Sequence, residues 1–447
     1  MSSFVNADRL ECKFINEMWS KRKQIKHLLD SKLKTSILVI YDTMHMFTIA
    51  VECSKCGKTF SCDKVLTVCT ECGGALLYRY DLPRVAEKVS KSILRKREDT
   101  FWKFVELLPL SSSGNIVSLK EPYTPVLRLS DSNSTAFKNV YVKDDGRLPT
   151  GTFKARGMAV AVSKLKELGV KRVAIPSAGN AAAALAAYGA KAGMEVYAFM
   201  PKDAPESNLK ECVYLGAKVY LVDGLINHAA KIVKKFEEKY GWFDLSTNKQ
   251  PYRFEGCKVM AFEVAEQFDW DLPDNILFPT GGGEGIIGLW KGFRELIELG
   301  WIEKIPQLII VQSSGCAPLV KAYNKKESEV KEPWKNPATI AAGLRVPHPY
   351  ASYLILRAIK ETKGMAISVD EEEIVSSMKT FFKMGIYSCP EAASTLAALN
   401  KLDAEGVFDP DEKILLYLTG NAMKYFDVMK VEKTRIPVLD TNVISLF

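Results

Sequence analysis

Seven short runs rich in β-branched and aliphatic residues, alternating with helical stretches of ten or more residues, constrain this 447-residue chain more than any other feature. They are Val140 to Lys143, Val173 to Ile175, Val196 to Phe199, Val219 to Val222, Ile276 to Phe278, Leu308 to Val311 and Ile414 to Leu418. Such alternation predicts an α/β fold of parallel sheets with helices on both faces. Ligands of such sheets gather outside the carboxyl ends of the strands. The turns at the strand ends are therefore where a binding site is expected.

Three runs there carry chemistry. Leu148-Pro149-Thr150-Gly151-Thr152-Phe153-Lys154-Ala155-Arg156-Gly157 sets a lysine at a turn leading into a helix of small residues. Partial burial of that kind keeps part of an amine unprotonated, so Lys154 can attack an aldehyde. Pro176-Ser177-Ala178-Gly179-Asn180 joins a strand to an alanine-rich helix beginning near Ala181. Ser177 and Asn180 suit helix capping as well as an anion at a helix N-terminus. Pro279-Thr280-Gly281-Gly282-Gly283-Glu284-Gly285 precedes the helical pattern from Ile286 to Leu299. Its glycines let backbone N–H groups approach a phosphate. Each run alone is weak, since a lysine at a helix start is usually solvated and a Gly-rich turn is usually only a turn. Together and in this order they read as a site for pyridoxal phosphate, an aldehyde that also carries a phosphate.

In that order the runs resemble the β-family of pyridoxal-phosphate enzymes, which have the tryptophan synthase β-subunit fold (fold type II). The match extends from about Asp81 to Tyr425. The resemblance implies two α/β lobes with the cofactor between them: a large lobe of residues 81–159 with 246–447, and a small lobe of 160–245. It implies that Lys154 is the covalent anchor and then the general base and acid, with Phe153 beside it. Asn180 would donate to the ring's phenolic oxygen. Gly281, Gly282, Gly283, Glu284 and Gly285 would cradle the phosphate by main-chain N–H groups. Thr419 would meet the pyridine nitrogen. Ser177, Ala178 and Gly179 would take the substrate carboxylate. A carboxylate beside a phosphate is repelled unless it turns away, so Glu284 is expected to contribute main-chain contacts alone.

Four of the ten cysteines, Cys53, Cys56, Cys69 and Cys72, form two C-x2-C knuckles, each followed by a glycine, Gly57 or Gly73. This is zinc-ribbon spacing, and a module at 47–80 has little core without a metal. Cys62 reads as a spectator, and Cys12, Cys212, Cys257, Cys316 and Cys389 as buried small hydrophobes. A charged connector helix is expected from the ribbon to about Arg97. Residues 1–46 form an N-terminal extension without a site-like cluster, with a basic helix-like segment 21–34 and a strand-like segment 36–41. Met44 and Met46 allow a start there, leaving the preceding stretch without a fold.

Hydrophobic content of 47% with 26% charged residues is that of an ordinary globular protein. No apolar stretch reaches the roughly 18 residues that suggest a membrane span, and no signal peptide is visible. A cytoplasmic, homodimeric protein acting on a small amino acid, without nucleic acid or membrane, is expected. The net charge of +8 is diffuse and suits anionic substrates slightly.

A zinc-ribbon N-terminus on this core resembles the threonine synthases of archaeal and bacterial type. The runs Pro251 to Gly256, Ala338 to Arg345 and Pro390 to Thr395 agree with them. The resemblance implies conversion of O-phosphohomoserine and water to threonine and phosphate, with Arg253 as a candidate for the substrate phosphate because guanidinium gives a bidentate fit. Three positions depart from the family pattern: Ala155 where aspartate is common, Ala181 where a threonine-type residue is, and Gln250 where asparagine is. The two alanines each remove a polar group near the expected substrate phosphate, and Gln250 displaces one. A threonine or serine dehydratase, a β-replacement enzyme such as a cysteate synthase, and a catalytically silent core with the ribbon as docking module therefore stay open.

Overall fold

The computed structural model describes residues 47–129 and 139–429. The expectations for the segments 21–34 and 36–41, the start at Met44 or Met46, and Cys12 lie outside the described residues.

Thirteen strands form three sheets among the described residues. β1 (Thr48–Cys53), β2 (Thr59–Phe60) and β3 (Leu76–Tyr80) make an antiparallel sheet that carries the cysteine knuckles. β4 (Val126–Arg128), β5 (Val140–Asp144), β10 (Asn275–Pro279), β11 (Gln307–Ser313), β12 (Ala366–Val369) and β13 (Ile414–Leu418) form a six-stranded sheet. Its order is β12-β11-β10-β13-β5-β4, parallel except for the antiparallel edge strand β4. β6 (Arg172–Pro176), β7 (Glu195–Pro201), β8 (Lys218–Val222) and β9 (Phe243–Asp244) form a parallel sheet in the order β8-β7-β6-β9. All seven strands expected from the sequence are present. Every residue of β10 and β13 is buried, as central strands covered on both faces require. β4, β9 and β12 are additions to that set: they have two to four residues, too few to show a period.

The connector differs from its expectation. It is two short helices, Leu82–Lys88 and Lys91–Leu94, broken where Val89 turns extended and the Ser90 hydroxyl caps the second by accepting from Ile93 N. Among the described residues, no helix is long and apolar enough to cross a membrane.

The helix Lys154–Glu167 packs between the helices Asn180–Ala192 and Tyr252–Gln267. The last of these packs in turn on the helix Glu284–Glu298. The approach is close because of Gly256: a Cβ there would lie 2.0 Å from the Arg156 carbonyl oxygen. At its first turn the helix Lys154–Glu167 is fixed by Arg156, which is fully buried. Arg156 Nε and Nη2 donate to the two carboxylate oxygens of Asp145 at 2.7 Å each, and Nη1 and Nη2 donate to Glu263 at 2.7 and 2.8 Å. Lys143 Nζ, equally buried, donates to Glu263 Oε2 at 2.6 Å, to Gln267 Oε1 at 2.8 Å and to the Thr124 carbonyl oxygen at 2.7 Å. Two cations face two carboxylates, so the cluster is neutral. It ties the lysine-bearing helix to the end of β5 and to the middle of the helix Tyr252–Gln267.

Burial alone would raise the Glu263 carboxyl, but the charges of Arg156 and Lys143 overcome it and hold it at about 2. Replacing Arg156 by methionine leaves two buried carboxylates without their main partner, so urea unfolding should show a loss of about 3–5 kcal/mol. An unfolded glutamate titrates near about 4.3, so the stability contributed by Glu263 is complete above that pH and is lost as pH falls toward 2. This slope in the acid range should be shallower in Arg156→Met than in the parent.

Candidate active site

Lys154 opens its helix directly after a tight turn in which Thr150 (φ 63°) and Gly151 (φ 67°) take left-handed backbone. The turn is pinned to the end of β13: Phe153 N donates to the Thr419 carbonyl oxygen at 2.9 Å and Asn421 N to the Gly151 carbonyl oxygen at 2.8 Å. One cavity is lined by Phe153, Lys154, Asn180, Gly281 through Gly285 and Thr419, together with Phe278, Pro279, Gly343, Leu344, Cys389 and Glu391. The expected anchor, ring and phosphate residues thus meet around one space, although 265 positions separate Lys154 from Thr419 (419 − 154). Ser177, Ala178, Gly179 and Arg253 do not line it.

The loop Gly281 to Gly283 ends in the N-terminus of the helix Glu284–Glu298, which has no side-chain cap. Its first N–H groups could receive an anion, with the positive end of the helix dipole behind them. Side chains are excluded from this loop on steric grounds. A Cβ on Gly281 would lie 2.2 Å from the Gly343 carbonyl oxygen, and one on Gly285 would lie 2.4 Å from Phe278 Cζ. Two polar atoms of the cavity-lining side chains, Asn180 Oδ1 and Glu391 Oε2, are buried without a hydrogen-bond partner. A phosphate cradle, an amine and two unpaired polar atoms around one space fit pyridoxal phosphate.

Glu284 departs from its expectation. Its carboxylate is 1% exposed and does not turn away: Oε1 accepts from Lys154 Nζ at 3.2 Å and Oε2 from Arg253 Nη2. Burial would raise this carboxyl, but Arg253 and Lys154 outweigh it and hold it below the usual range. The expected repulsion is cancelled because Arg253, from a helix 31 positions earlier, neutralises the charge. Arg253 is itself 1% exposed and engaged, its Nη1 donating to the Leu245 carbonyl oxygen at 3.2 Å and to Thr247 Oγ1 at 3.4 Å. It is therefore not open to a substrate phosphate in this arrangement. Ser177 serves as a cap, its Oγ accepting from Gly179 N and Ala182 N at 3.1 Å each, and Gly179 has a φ of 144°.

Glu391, Tyr425 and Cys389 join the site although the sequence did not mark them for it. Asn180 Nδ2 donates to the Tyr425 hydroxyl at 2.7 Å, and that hydroxyl donates to Glu391 Oε1 at 2.5 Å. Gly343 N donates to the same carboxylate oxygen at 2.7 Å. The one available signal is the run Pro390 to Thr395, which stands out by its resemblance and not by its chemistry. A second cavity of about 560 Å³ meets the first at Gly282. Lys231, Lys234, Lys235, Lys249 and His348 line it, and no carboxylate does.

At the N-terminal sheet, the Sγ atoms of Cys53, Cys56, Cys69 and Cys72 all lie within 4.8 Å of one another. Cys62 is outside this group, and Cys212, Cys257, Cys316 and Cys389 are buried as expected.

The fold and the site define an enzyme of the pyridoxal-phosphate dependent class, and the chain belongs to the pyridoxal-phosphate dependent enzyme family, whose model matches residues 117–420. It is 39% identical over 376 residues to a threonine synthase of Methanocaldococcus jannaschii, covering 83% of this chain and 92% of that protein. It is 32% identical over 324 residues to a threonine synthase of Halalkalibacterium halodurans, covering 72% and 88%. Among solved structures, it is similar in fold to maize serine racemase (TM-score 0.59, 22% identity, 67% of this chain and 88% of that one). A threonine deaminase of Solanum lycopersicum is similar to the same degree (TM-score 0.59, 20% identity, 68% and 81%).

Gly281→Ala should weaken cofactor binding by at least about tenfold, since the added methyl must push the Gly343 backbone and deform the cradle. Titration of the apoprotein with pyridoxal phosphate, followed by visible absorbance, measures this. Unchanged affinity would place the phosphate elsewhere.

Proposed function

We propose that this enzyme is a threonine synthase, converting O-phosphohomoserine and water to threonine and phosphate. The observation that carries the reading is 39% identity to a protein of that name across 83% of this chain. The lysine-lined cavity beside Gly282 adds support, because Lys231, Lys235 and Lys249 line it with no carboxylate in its wall and favour a substrate with a dianionic distal group, while Lys234 is paired with Glu237.

Bound pyridoxal phosphate supplies an electron sink for charge developing at the substrate α-carbon. The chain's own residues supply the rest. Lys154 would anchor the cofactor and, once displaced by the substrate amine, move protons at the α- and β-carbons with its Nζ. Phosphate would leave the γ-carbon and water would add at the β-carbon. Asn180 would hold the phenolic oxygen with its remaining N–H, the other being given to Tyr425. Thr419 would meet the pyridine nitrogen as a neutral hydroxyl, which leaves that nitrogen unprotonated. The turn Ser177 to Gly179 would receive the substrate carboxylate on its backbone, with Ser177 shaping the turn. We assign the distal phosphate to the lysine-lined cavity, leaving Arg253 as the partner of Glu284. Residues 160–245 would form the small lobe around the four-stranded sheet, and 81–159 with 246–447 the large one.

We further propose that Cys53, Cys56, Cys69 and Cys72 bind a structural zinc ion. A tetrahedral ion with Zn–S bonds of about 2.3 Å needs sulfurs roughly 3.8 Å apart. The Cys53–Cys72 and Cys56–Cys69 pairs lie at 3.4 and 3.6 Å. Elemental analysis should find about one zinc per chain, and chelation should loosen the N-terminal sheet before the core. A metal-free protein with an intact N-terminal sheet would refute this.

The substrate is tested by offering O-phosphohomoserine, threonine, serine and O-phosphoserine to the purified holoenzyme while phosphate, 2-oxo acids and amino acids are followed. Threonine and phosphate should appear from the first in equal amounts. Phosphate-free turnover of threonine or serine, with O-phosphohomoserine inert, would make the protein a dehydratase. Lys154→Ala should abolish both turnover and the visible absorbance of the bound cofactor, and borohydride should fix the cofactor to the peptide containing Lys154.

A further inference from the structure

A carboxylate inside a phosphate-binding loop is electrostatically out of place. A buried ion pair between Glu284 and Arg253 accounts for one of its oxygens only. Oε2 is met by Arg253 Nη2, whereas Oε1 is presented to Lys154 Nζ at 3.2 Å, and Glu284 and Lys154 both line the cavity. The Lys154 side chain is 21% exposed and has room to move, while Glu284 and Arg253 are each 1% exposed and have none. A buried, charged acceptor thus faces a partly exposed amine.

We propose that Glu284 is the proton partner of Lys154, steadying the ammonium that forms each time the lysine takes a proton from the substrate. The inference rests on Lys154 as the reactive lysine. When Lys154 acts as base, the substrate C–H bond breaks, its electron pair stays with the carbon framework linked to the cofactor, and Nζ gains the proton. Glu284 does not take the proton. Its charge steadies the ammonium once it has formed and keeps the proton at the site for return to a later carbon. Arg253 is a positioning residue: it keeps the carboxylate ionised and aimed at Nζ. The groups facing the carboxylate are Lys154, Arg253 and the Cys257 thiol, whose Sγ is 4.0 Å from Oε1. Burial, then Glu284, push the thiol well above its usual range, so it stays neutral there.

Glu284→Gln keeps the shape and removes the charge. In the apoprotein at pH 7, an amine-selective acylating reagent should label Lys154 at least about threefold faster in the variant, because the carboxylate no longer favours the ammonium. In the holoenzyme, kcat should fall at least about tenfold with KM changed less than about twofold, since the effect lies on proton transfer and not on binding. Glu284→Asp, which keeps the charge one methylene further off, should fall between parent and Glu284→Gln in both measurements. Arg253→Gln should add an acid limb to the pH profile of kcat, as a carboxyl without its counter-charge protonates more readily. The double variant with Glu284→Gln should lack that limb. Parent-like labelling and kcat in Glu284→Gln would overturn the proposal, as would labelling that slows. Borohydride fixation at another lysine would instead overturn the assignment of Lys154, so the two failures are distinguishable.

Discussion

The doubly paired guanidinium of Arg156 is the interaction on which the site depends. Two positions after Lys154, it is fully buried and makes bidentate contacts to Asp145 and Glu263 at once. Asp145 stands just past the end of β5, and Glu263 sits in the helix Tyr252–Gln267. A planar fork satisfied on two sides cannot rotate without leaving a carboxylate unpaired in the interior, which is costly. The first turn of the Lys154 helix is therefore fixed in position and in rotation about its axis. Lys154 itself projects into the cavity from a rigid base.

Close backbone approach completes that base. Gly256 lets the Tyr252–Gln267 helix lie against the Arg156 carbonyl, and Gly288 lets the Glu284–Glu298 helix lie against Cys257, where a Cβ would stand 2.5 Å from the cysteine Cβ. The three helices form one packed unit. Arg253 and Glu284, each on a different member of it, meet beside the loop Gly281 to Gly283. The same geometry that orients the loop's N–H groups also delivers a carboxylate to the amine. On the proposed reading, anion binding and proton handling would share one scaffold without competing, because the backbone would serve the first and a side chain the second.

The N-terminal sheet is joined to this scaffold by specific contacts. The Tyr80 hydroxyl donates to Glu255 Oε2 at 2.8 Å, inside a second buried cluster of Glu255, Lys258, Lys291 and Glu295. Lys258 also lies over the Tyr80 ring, 3.7 Å from its centroid. The Tyr353 hydroxyl meets Ser54 and Ala75 N next to the cysteine knuckles. Buried charge again stands at the seam between elements distant in sequence, where a mismatch in docking would strand a charge.

The strands, the Lys154 turn, the phosphate loop and the cysteine spacing are all legible in the sequence, because each is a local pattern. Period and β-branching mark a strand, glycines mark a cradle, and a C-x2-C knuckle declares its own geometry. The split connector is hidden because its break at Val89 is a matter of backbone conformation in a segment whose composition suits a helix. The site residues that escape a sequence reading are of another kind. Glu391 and Tyr425 are an acidic residue at a helix start and an aromatic near a chain end, and no neighbour in sequence distinguishes them from a cap or a core side chain. Glu284 reads wrongly from sequence because Coulomb repulsion is weighed there without Arg253, which no local pattern places beneath it. By itself the sequence determined which residues can take part in the chemistry, since side-chain type and short-range backbone preference are properties of neighbours along the chain. Only the tertiary structure decided which of them are paired, because the partner that neutralises, orients or buries a group here lies tens to hundreds of residues away.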